Sequence, residues 1–298
     1  MSQILIIGAG KIGCVVAQLL EANKNVSCEF WDKDATKVSQ QGDLTELAAR
    51  ADSIFLCINS WVHRDVLEAI KPHLKDDAIV VSLAKGIEKG SNKTLDEVLA
   101  EYLPSIRFGL LSGPMLADEL STGKVGAAVI ASKSAEVRDR VADHFAQSKL
   151  LIQTSDDSTG VALCGVLKNV YAIVLGMCEG LELGCNARGV LVQQILSEMT
   201  SIVKARGGNQ ATVYSYAGIG DIIATGLSPQ SNNYSFGKEY AIKGGSERVC
   251  EGSASLPSLI LLLSGTHDYP LLSALERMLI HETPVHEVFS QFFANKKE

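Results

Sequence analysis

The stretch that decides the fold is Gln3-Ile4-Leu5-Ile6-Ile7-Gly8-Ala9-Gly10-Lys11-Ile12-Gly13, near the start of the chain. Its first five residues have the composition of a short buried strand, and the apolar residues that follow have the spacing of a helix. A G-x-G-x-x-G sequence on such a turn is typical of a dinucleotide site, because glycine lets the backbone approach a pyrophosphate. The free N–H groups at the amino end of the helix also attract phosphate. We therefore predict that a dinucleotide binds here.

A second predicted strand, at residues 26–31, ends directly before Asp32, which lies 19 residues after Gly13. A carboxylate at this point can accept hydrogen bonds from both ribose hydroxyls of NAD, and its charge disfavours the extra phosphate of NADP. Lys33 has the opposite effect, because a cation beside the ribose can hold that phosphate. The sequence favours NAD over NADP. The predicted cofactor contacts in this region are Gly8, Ala9, Gly10, Lys11, Ile12, Gly13, Asp32 and Lys33.

The composition is that of a soluble globular protein, with 46% hydrophobic and 20% charged residues in a chain of 298. A formal net charge of −7 argues against nucleic acid as a partner. The seven cysteines form no C-x-x-C pair, which indicates reduced thiols and a cytoplasmic protein. We expect no signal peptide, and no membrane span at residues 160–178, because charged residues near the centre of a span are costly.

Short apolar strands alternate with amphipathic helices over residues 1–155. This alternation predicts an α/β domain with a mostly parallel sheet, whose last strands can pair antiparallel. Helical patterns dominate residues 156–298 and predict an all-helical second domain with its own core, starting near Asp156-Asp157-Ser158. The predicted strands are residues 4–7, 27–31, 53–58, 79–83, 108–112, 127–131 and 150–154. The predicted helices include residues 44–50, 62–74, 135–147, 160–181, 189–204, 234–242, 256–263 and 271–278.

Lys168 and Asn169 lie inside the apolar stretch 161–175, which has the composition of a buried helix. A lysine there must be paired with an acid, or its pKa must be lowered by desolvation. Such a group is suited to exchanging a proton with a substrate oxygen. The alternative is a lysine that reaches the surface or forms a structural ion pair. The second polar side chain, Asn169, favours the catalytic interpretation.

Two further segments carry groups suited to chemistry. Lys85 follows the predicted strand 79–83 at its carboxyl end, where ligands bind in open α/β sheets, and Gly86 permits a close approach of the backbone. Asp221 follows Gly220 at the start of a predicted helix, with Thr225 one turn later on the same face. The alternatives are a solvated loop lysine and an aspartate that only caps its helix.

No metal site is predicted from the histidines. His281 and His286 are five residues apart, so on a helix they would point about 140° away from each other. Pro284 would also break that helix.

Several motifs, in the same order, resemble the soluble NAD(P)-dependent glycerol-3-phosphate dehydrogenases over most of the chain. The resemblance implies an N-terminal Rossmann domain and a helical domain like that of 6-phosphogluconate dehydrogenase. It also implies reversible hydride transfer between NAD and the secondary alcohol carbon of sn-glycerol 3-phosphate. The motifs are Gly8-Ala9-Gly10-x-x-Gly13, Ser82-Leu83-Ala84-Lys85-Gly86-Ile87-Glu88, Ser112-Gly113-Pro114-x-x-Ala117-x-Glu119, Gly165-x-Leu167-Lys168-Asn169, Gly184-x-Asn186-x-Arg188, Ala217-Gly218-x-Gly220-Asp221-x-x-x-Thr225 and Cys250-Glu251-Gly252.

The resemblance also implies roles for individual residues. Lys168 corresponds to the general acid and base, with Lys85 and Asp221 beside it. Asn169 and Thr225 correspond to residues that orient the substrate. The remaining implied contacts are Ser231, Asn232 and Asn233 to the substrate and Glu251 to the cofactor. A homodimer is what the family leads us to expect.

The chain departs from the family at Asn232. The family usually has Ser-Arg-Asn where this chain has Ser231-Asn232-Asn233, and that arginine grips the substrate phosphate. An asparagine supplies no charge and cannot replace a bidentate guanidinium on a dianion. We expect this loss to cost about 2–4 kcal/mol of binding.

Three functions therefore stay open. The chain is a glycerol-3-phosphate dehydrogenase whose phosphate is held by another group, such as Lys238 or Arg188. Alternatively, it is a dehydrogenase on the same scaffold that acts on a less charged or carrier-bound three-carbon carbonyl compound. The third possibility is a sensor that binds the dinucleotide without turnover. A sensor needs no acid and base groups, so it is disfavoured by the presence of Lys85, Lys168 and Asp221.

Overall fold

The computed structural model describes residues 1–104 and 107–294. Its centre is a sheet of seven strands in the order β2-β1-β3-β4-β5-β6-β7. All neighbours are parallel except β5 and β6, and β6 and β7 are again parallel. Each predicted strand is present. The antiparallel pairing expected among the last strands occurs between β5 and β6. The strands are β1 (Ser2–Ile7), β2 (Val26–Trp31), β3 (Ser53–Leu56), β4 (Ile79–Ser82), β5 (Phe108–Ser112), β6 (Gly126–Ala131) and β7 (Leu150–Ser155).

Among the described residues six α-helices accompany the sheet, and several begin at side-chain caps. Asp43 caps α2, Ser134 caps α6, and Thr94 with Glu97 forms a capping box on α4. The sequence pattern did not predict α4 or the short α5, and it made the third helix too long, because a separate turn follows Ile70. The helices are α1 (Lys11–Leu20), α2 (Leu44–Arg50), α3 (His63–Ile70), α4 (Leu95–Tyr102), α5 (Ala117–Leu120) and α6 (Ala135–Phe145).

The rest of the described chain is helical, as predicted. Its central element is α7 (Ser158–Gly180), which begins after the cap Asp157, whose carboxylate accepts the N–H of Gly160 at 2.9 Å. By length and composition α7 could cross a membrane, but 94% of its apolar window is buried inside the protein. The other helices are α8 (Gly184–Ala205), α9 (Asp221–Gly226), α10 (Asn232–Lys243), α11 (Glu251–Leu262), α12 (Pro270–Leu279) and α13 (Val285–Ala294).

The expectation of a separate core for the second region is wrong. One hydrophobic cluster contains Leu5 and Ile7 of β1, Leu110 of β5, and most of α7. The reason is that α7 is apolar on nearly every face, so it packs against the sheet and against the later helices at the same time. This arrangement places Lys168, in the middle of α7, close to the carboxyl ends of the strands.

Candidate active site

The glycines of the first loop each have a structural reason. Gly8 has φ +106°, and a Cβ there would overlap the carbonyl oxygen of Cys57. A Cβ on Gly13 would overlap the carbonyl oxygen of Gly8, so this glycine lets α1 pack close to β1. A Cβ on Gly10 would meet no described atom within 4 Å. Gly10 therefore leaves the amino end of α1 open to a ligand.

A cavity of about 810 Å³ lies at this loop. It brings together six of the predicted cofactor contacts, whereas Gly13 lies under the loop and Ala9 contributes its backbone N–H to Asp32. Lys37 and Asn59 also line the cavity, and sequence reasoning missed both. The six predicted residues in the lining are Gly8, Gly10, Lys11, Ile12, Asp32 and Lys33.

Asp32 holds the glycine loop in place. One carboxylate oxygen accepts the N–H of Ala9 at 2.8 Å, and the other accepts the N–H of Asp34 at 2.9 Å. The ammonium group of Lys37 lies 3.6 Å from the second oxygen. A cation thus stands beside the carboxylate that was predicted to bind the ribose. The sequence signal for it was a lysine shortly after the end of β2.

A second group of side chains lies at the carboxyl ends of β4 and β5, centred on Asp221. Lys85 Nζ lies 2.5 Å from Asp221 Oδ2 and donates to the carbonyl oxygen of Gly113 at 2.9 Å. Lys168 Nζ lies 3.3 Å from Asp221 Oδ1 and donates to Thr225 Oγ1 at 2.8 Å. Thr225 in turn donates to Asp221 Oδ1 at 3.0 Å. One buried carboxylate therefore holds two lysines that come from distant parts of the sequence.

Local backbone features create this arrangement. A single turn of π-helix, Tyr216–Gly220, runs directly into α9 and carries Asp221 at the first helical position, where Gly220 and not Asp221 is the cap. A Cβ on Gly218 would overlap the backbone of Val213. Gly165 lies one turn before Lys168, where its Cβ would come within 3.3 Å of Lys85 Cγ. Gly165 thus allows the Lys85 side chain to approach α7 closely, and Gly218 allows the π-helical turn to pack against Val213.

The ionisation of the group follows from its burial. Desolvation lowers the pKa of Lys168 to about 8, against the attraction of Asp221, and Lys85 lowers it further. Burial alone would raise the pKa of Asp221, but the charges of Lys168 and Lys85 outweigh it and hold this pKa below its usual value. Desolvation raises the pKa of Glu251. Lys168 is therefore close to half-protonated near pH 8, as a proton-exchanging group should be.

A chain of amide hydrogen bonds connects this group to α10 and α11. Asn169 Nδ2 donates to the carbonyl oxygen of Lys85 at 3.1 Å and to Glu251 Oε2 at 3.0 Å. Asn233 Nδ2 donates to Asn169 Oδ1 at 2.9 Å, and Asn233 Oδ1 accepts the N–H of Gly252 at 2.8 Å. Three predicted site residues are thus brought together. Glu251, predicted as a cofactor contact, lies beside Asn169 and outside the lining of the glycine-loop cavity.

Ser231 and Asn232 are not part of the lysine cluster. Ser231 is the buried cap of α10, and its hydroxyl accepts the N–H of Tyr234 at 3.4 Å. Asn232 is exposed at the start of α10 and lines the glycine-loop cavity. Asn232, which stands where the family usually has an arginine, therefore faces the glycine-loop cavity.

Arg188 and Lys238, the predicted replacements for that arginine, both lie beside Glu179. Arg188 forms an ion pair with Glu179, and Lys238 Nζ lies 3.8 Å from the same carboxylate. Glu179 follows Lys168 by eleven residues on α7, which corresponds to about 16 Å along the helix. Both cations are thus paired with a carboxylate about three helical turns from Lys168, and their contact with a substrate phosphate stays a prediction.

Comparisons with known proteins identify the family of this chain. The family model for the NAD-dependent glycerol-3-phosphate dehydrogenase C-terminus matches residues 157–290, and that for the N-terminus matches residues 34–138. A glycerol-3-phosphate dehydrogenase (NAD(P)+) of Clostridium perfringens is 32% identical over 78% of this chain and 77% of its own length. One from Carboxydothermus hydrogenoformans is 34% identical over 79% of this chain and 77% of its own length.

The fold is also that of solved relatives. The glycerol-3-phosphate dehydrogenase of Coxiella burnetii superimposes with a TM-score of 0.89 at 25% identity, covering 98% of both chains. The enzyme of Saccharomyces cerevisiae gives a TM-score of 0.83 at 20% identity, covering 98% of this chain and 99% of that one. The chain thus consists of an N-terminal Rossmann domain and a helical C-terminal region. The chain belongs to the NAD-dependent glycerol-3-phosphate dehydrogenase family of oxidoreductases.

Proposed function

We propose that this chain catalyses reversible hydride transfer between NAD(H) and the secondary alcohol carbon of sn-glycerol 3-phosphate, with dihydroxyacetone phosphate as the ketone. The observation that carries the proposal is the buried Lys168, which lies 3.3 Å from Asp221 at the carboxyl edge of the sheet, the edge at which the glycine-loop cavity also lies. A cation of lowered pKa in such a place stabilises negative charge that develops on a carbonyl oxygen.

Lys168 is the proton donor in ketone reduction. The dinucleotide, when bound, supplies the hydride to the carbonyl carbon. The carbonyl oxygen then takes a proton from the Lys168 ammonium group, which becomes a neutral amine and regains a proton from water. In alcohol oxidation the neutral amine removes the hydroxyl proton. Lys85 adds positive charge beside it, and Asp221 with Thr225 fixes the direction of both ammonium groups.

The cofactor we propose is NAD. The open position at Gly10 and the first N–H groups of α1 fit a pyrophosphate, and Lys11 adds a cation there, since its exposed pair with Asp118 is easily exchanged. Asp32 lines the same cavity and fits the ribose hydroxyls. Lys33 and Lys37 favour NADP, but Asp32 accepts the N–H of Ala9 in the glycine loop and lies 3.6 Å from Lys37, so we expect NAD to bind better.

A second candidate substrate follows from Asn232. The glycine-loop cavity has the neutral amide of Asn232 in place of the family's arginine. The ammonium groups of Lys85 and Lys168 are already paired with the carboxylate of Asp221. This arrangement favours a three-carbon ketone without a phosphate dianion, or one joined to a carrier. The reaction and the roles of Lys168, Lys85 and Asp221 would be the same.

A substrate panel separates the two candidates. NADH oxidation is followed by the absorbance of the cofactor, with dihydroxyacetone phosphate, dihydroxyacetone and carboxylated ketones of similar size. Saturation by dihydroxyacetone phosphate supports the first candidate. Turnover with another ketone alone supports the second, and tight NADH binding without any turnover contradicts both.

We also propose the organisation of the whole protein. Residues 1–155 form the dinucleotide-binding domain and residues 156–298 the substrate domain, in a cytoplasmic homodimer. The seven free cysteines support a reducing compartment. Sedimentation analysis of the purified protein measures the oligomeric state directly.

A further inference from the structure

A buried histidine connects the cofactor loop to the catalytic loop. His63 is the first residue of α3 and has no exposed surface. Its Nδ1 lies 3.0 Å from the carbonyl oxygen of Asn59, and its Nε2 lies 2.8 Å from Ser82 Oγ. Asn59 follows β3 and lines the glycine-loop cavity, whereas Ser82 is the last residue of β4, three residues before Lys85.

The donors and acceptors in this series of hydrogen bonds follow from the carbonyl group of Asn59 at one end. A carbonyl oxygen can only accept, so Nδ1 of His63 carries the proton and donates to Asn59. Burial keeps the ring neutral, since desolvation lowers the pKa of His63 to about 4. Nε2 must then accept from the Ser82 hydroxyl. The Ser82 oxygen in turn accepts the N–H of Ala84 at 3.3 Å, directly before Lys85.

The same two loops also touch at a second point. A Cβ on Gly86 would overlap the hydroxyl of the buried Ser60, so only glycine allows this approach. Beyond it, the carbonyl oxygen of Lys85 accepts Asn169 Nδ2 at 3.1 Å. The backbone of Lys85 is therefore held from one side by His63 through Ser82 and from the other by Asn169.

We propose that His63 is a positioning residue for the dehydrogenase reaction, which fixes the Lys85 loop relative to the cofactor loop through the chain Asn59–His63–Ser82–Ala84. The proposal rests on the function proposed above. His63 contacts neither substrate nor cofactor; it sets where the Lys85 ammonium group stands when both are bound.

The chain contains a matched control. His144 is a second buried histidine, and its Nε2 lies 3.1 Å from Ser53 Oγ. Ser53 begins β3, so this pair lies at the amino edge of the sheet, opposite the candidate site. Replacing either histidine by phenylalanine removes the same kind of hydrogen bond and keeps a ring in the core. Only the His63 pair is connected to Lys85.

The experiment compares His63→Phe, Ser82→Ala, their double variant and His144→Phe. We measure kcat, the KM of each substrate, the Kd of NADH by fluorescence, and Tm. We expect His63→Phe and Ser82→Ala each to lower kcat by about tenfold, and the double variant to be no worse than His63→Phe. His144→Phe lowers Tm, while its kcat and NADH Kd stay within about twofold of the wild type.

Two results would overturn the proposal. One is a folded His63→Phe protein whose kcat and NADH Kd match those of His144→Phe; the other is full additivity of His63→Phe and Ser82→Ala. If His63→Phe does not fold, Ser82→Ala decides alone, and an unchanged kcat contradicts the proposal. If the wild type turns over no ketone, the proposed function has failed. The NADH Kd then still tests the loop connection. We expect the Kd of His63→Phe to be about three- to tenfold higher than that of the wild type, whereas that of the control His144→Phe should not increase.

Discussion

Lys168 and Lys85 are bound to opposite oxygens of one carboxylate, that of Asp221, at 3.3 and 2.5 Å. Two ammonium groups so close in a buried site would repel each other strongly without this shared anion. Lys85 comes from the loop after β4 and Lys168 from α7, so Asp221 also connects the sheet to the helical region. Asp221 therefore pairs with one cation from each of the two regions.

The rate should depend on pH through Lys168, whose pKa is about 8. Reduction needs the ammonium form, so kcat for ketone reduction should fall as pH rises through about 8. Oxidation needs the neutral amine, and its kcat should rise over the same interval. Steady-state rates in both directions from pH 6 to 10 measure this. Two profiles that move in the same direction would contradict the assignment.

Replacing Asp221 by Asn should disable both lysines. The shape is kept, but Lys168 and Lys85 lose their shared anion, and the loss of a buried ionic partner costs about 3–5 kcal/mol of stability. We expect kcat to fall at least about a hundredfold and Tm to fall as well, with a much smaller change in NADH affinity. Asp157→Asn is the matched control, because Asp157 is a buried aspartate that caps α7. It should lower Tm and leave kcat largely intact.

Asn232→Arg should restore the family's cation at the cavity. Asn232 is exposed, so a longer side chain meets little steric hindrance. If the substrate phosphate lies there, the KM for dihydroxyacetone phosphate should fall by about tenfold or more. The KM for an unphosphorylated ketone should not change. Asn232→Gln serves as the uncharged control, and an equal KM for Asn232→Arg and Asn232→Gln would place the phosphate elsewhere.

Cofactor choice should respond to Asp32 and Lys37 in opposite ways. Lys37→Ala removes a cation next to the ribose site, so kcat/KM should decrease more for NADPH than for NADH. Asp32→Ser should lower the preference for NADH by about tenfold. The ratio of kcat/KM for the two cofactors is the measurement. A wild type that prefers NADPH would show that the proposal for NAD is wrong.

Much of the fold was predictable because its signals are local. The seven strands are short apolar runs, and Lys168 stands out as a charge within a buried helix. Other features depend on tertiary contacts that leave no mark in a single sequence. The separate core expected for residues 156–298 failed because α7 is shared with the sheet. The neighbours of His63 and Glu251 are 19 and 82 residues away in the chain, so no spacing rule could identify their pairings.

The central claim is that Lys168 transfers the proton during the reaction, and Lys168→Met tests it most directly. Methionine has nearly the same length and suits a buried helix, so the protein should remain folded. Single-turnover reduction of dihydroxyacetone phosphate by enzyme-bound NADH should be lost by at least about a thousandfold, while the Kd of NADH stays within about threefold of the wild type. A Lys168→Met protein that reduces the ketone at a rate close to that of the wild type would contradict the account.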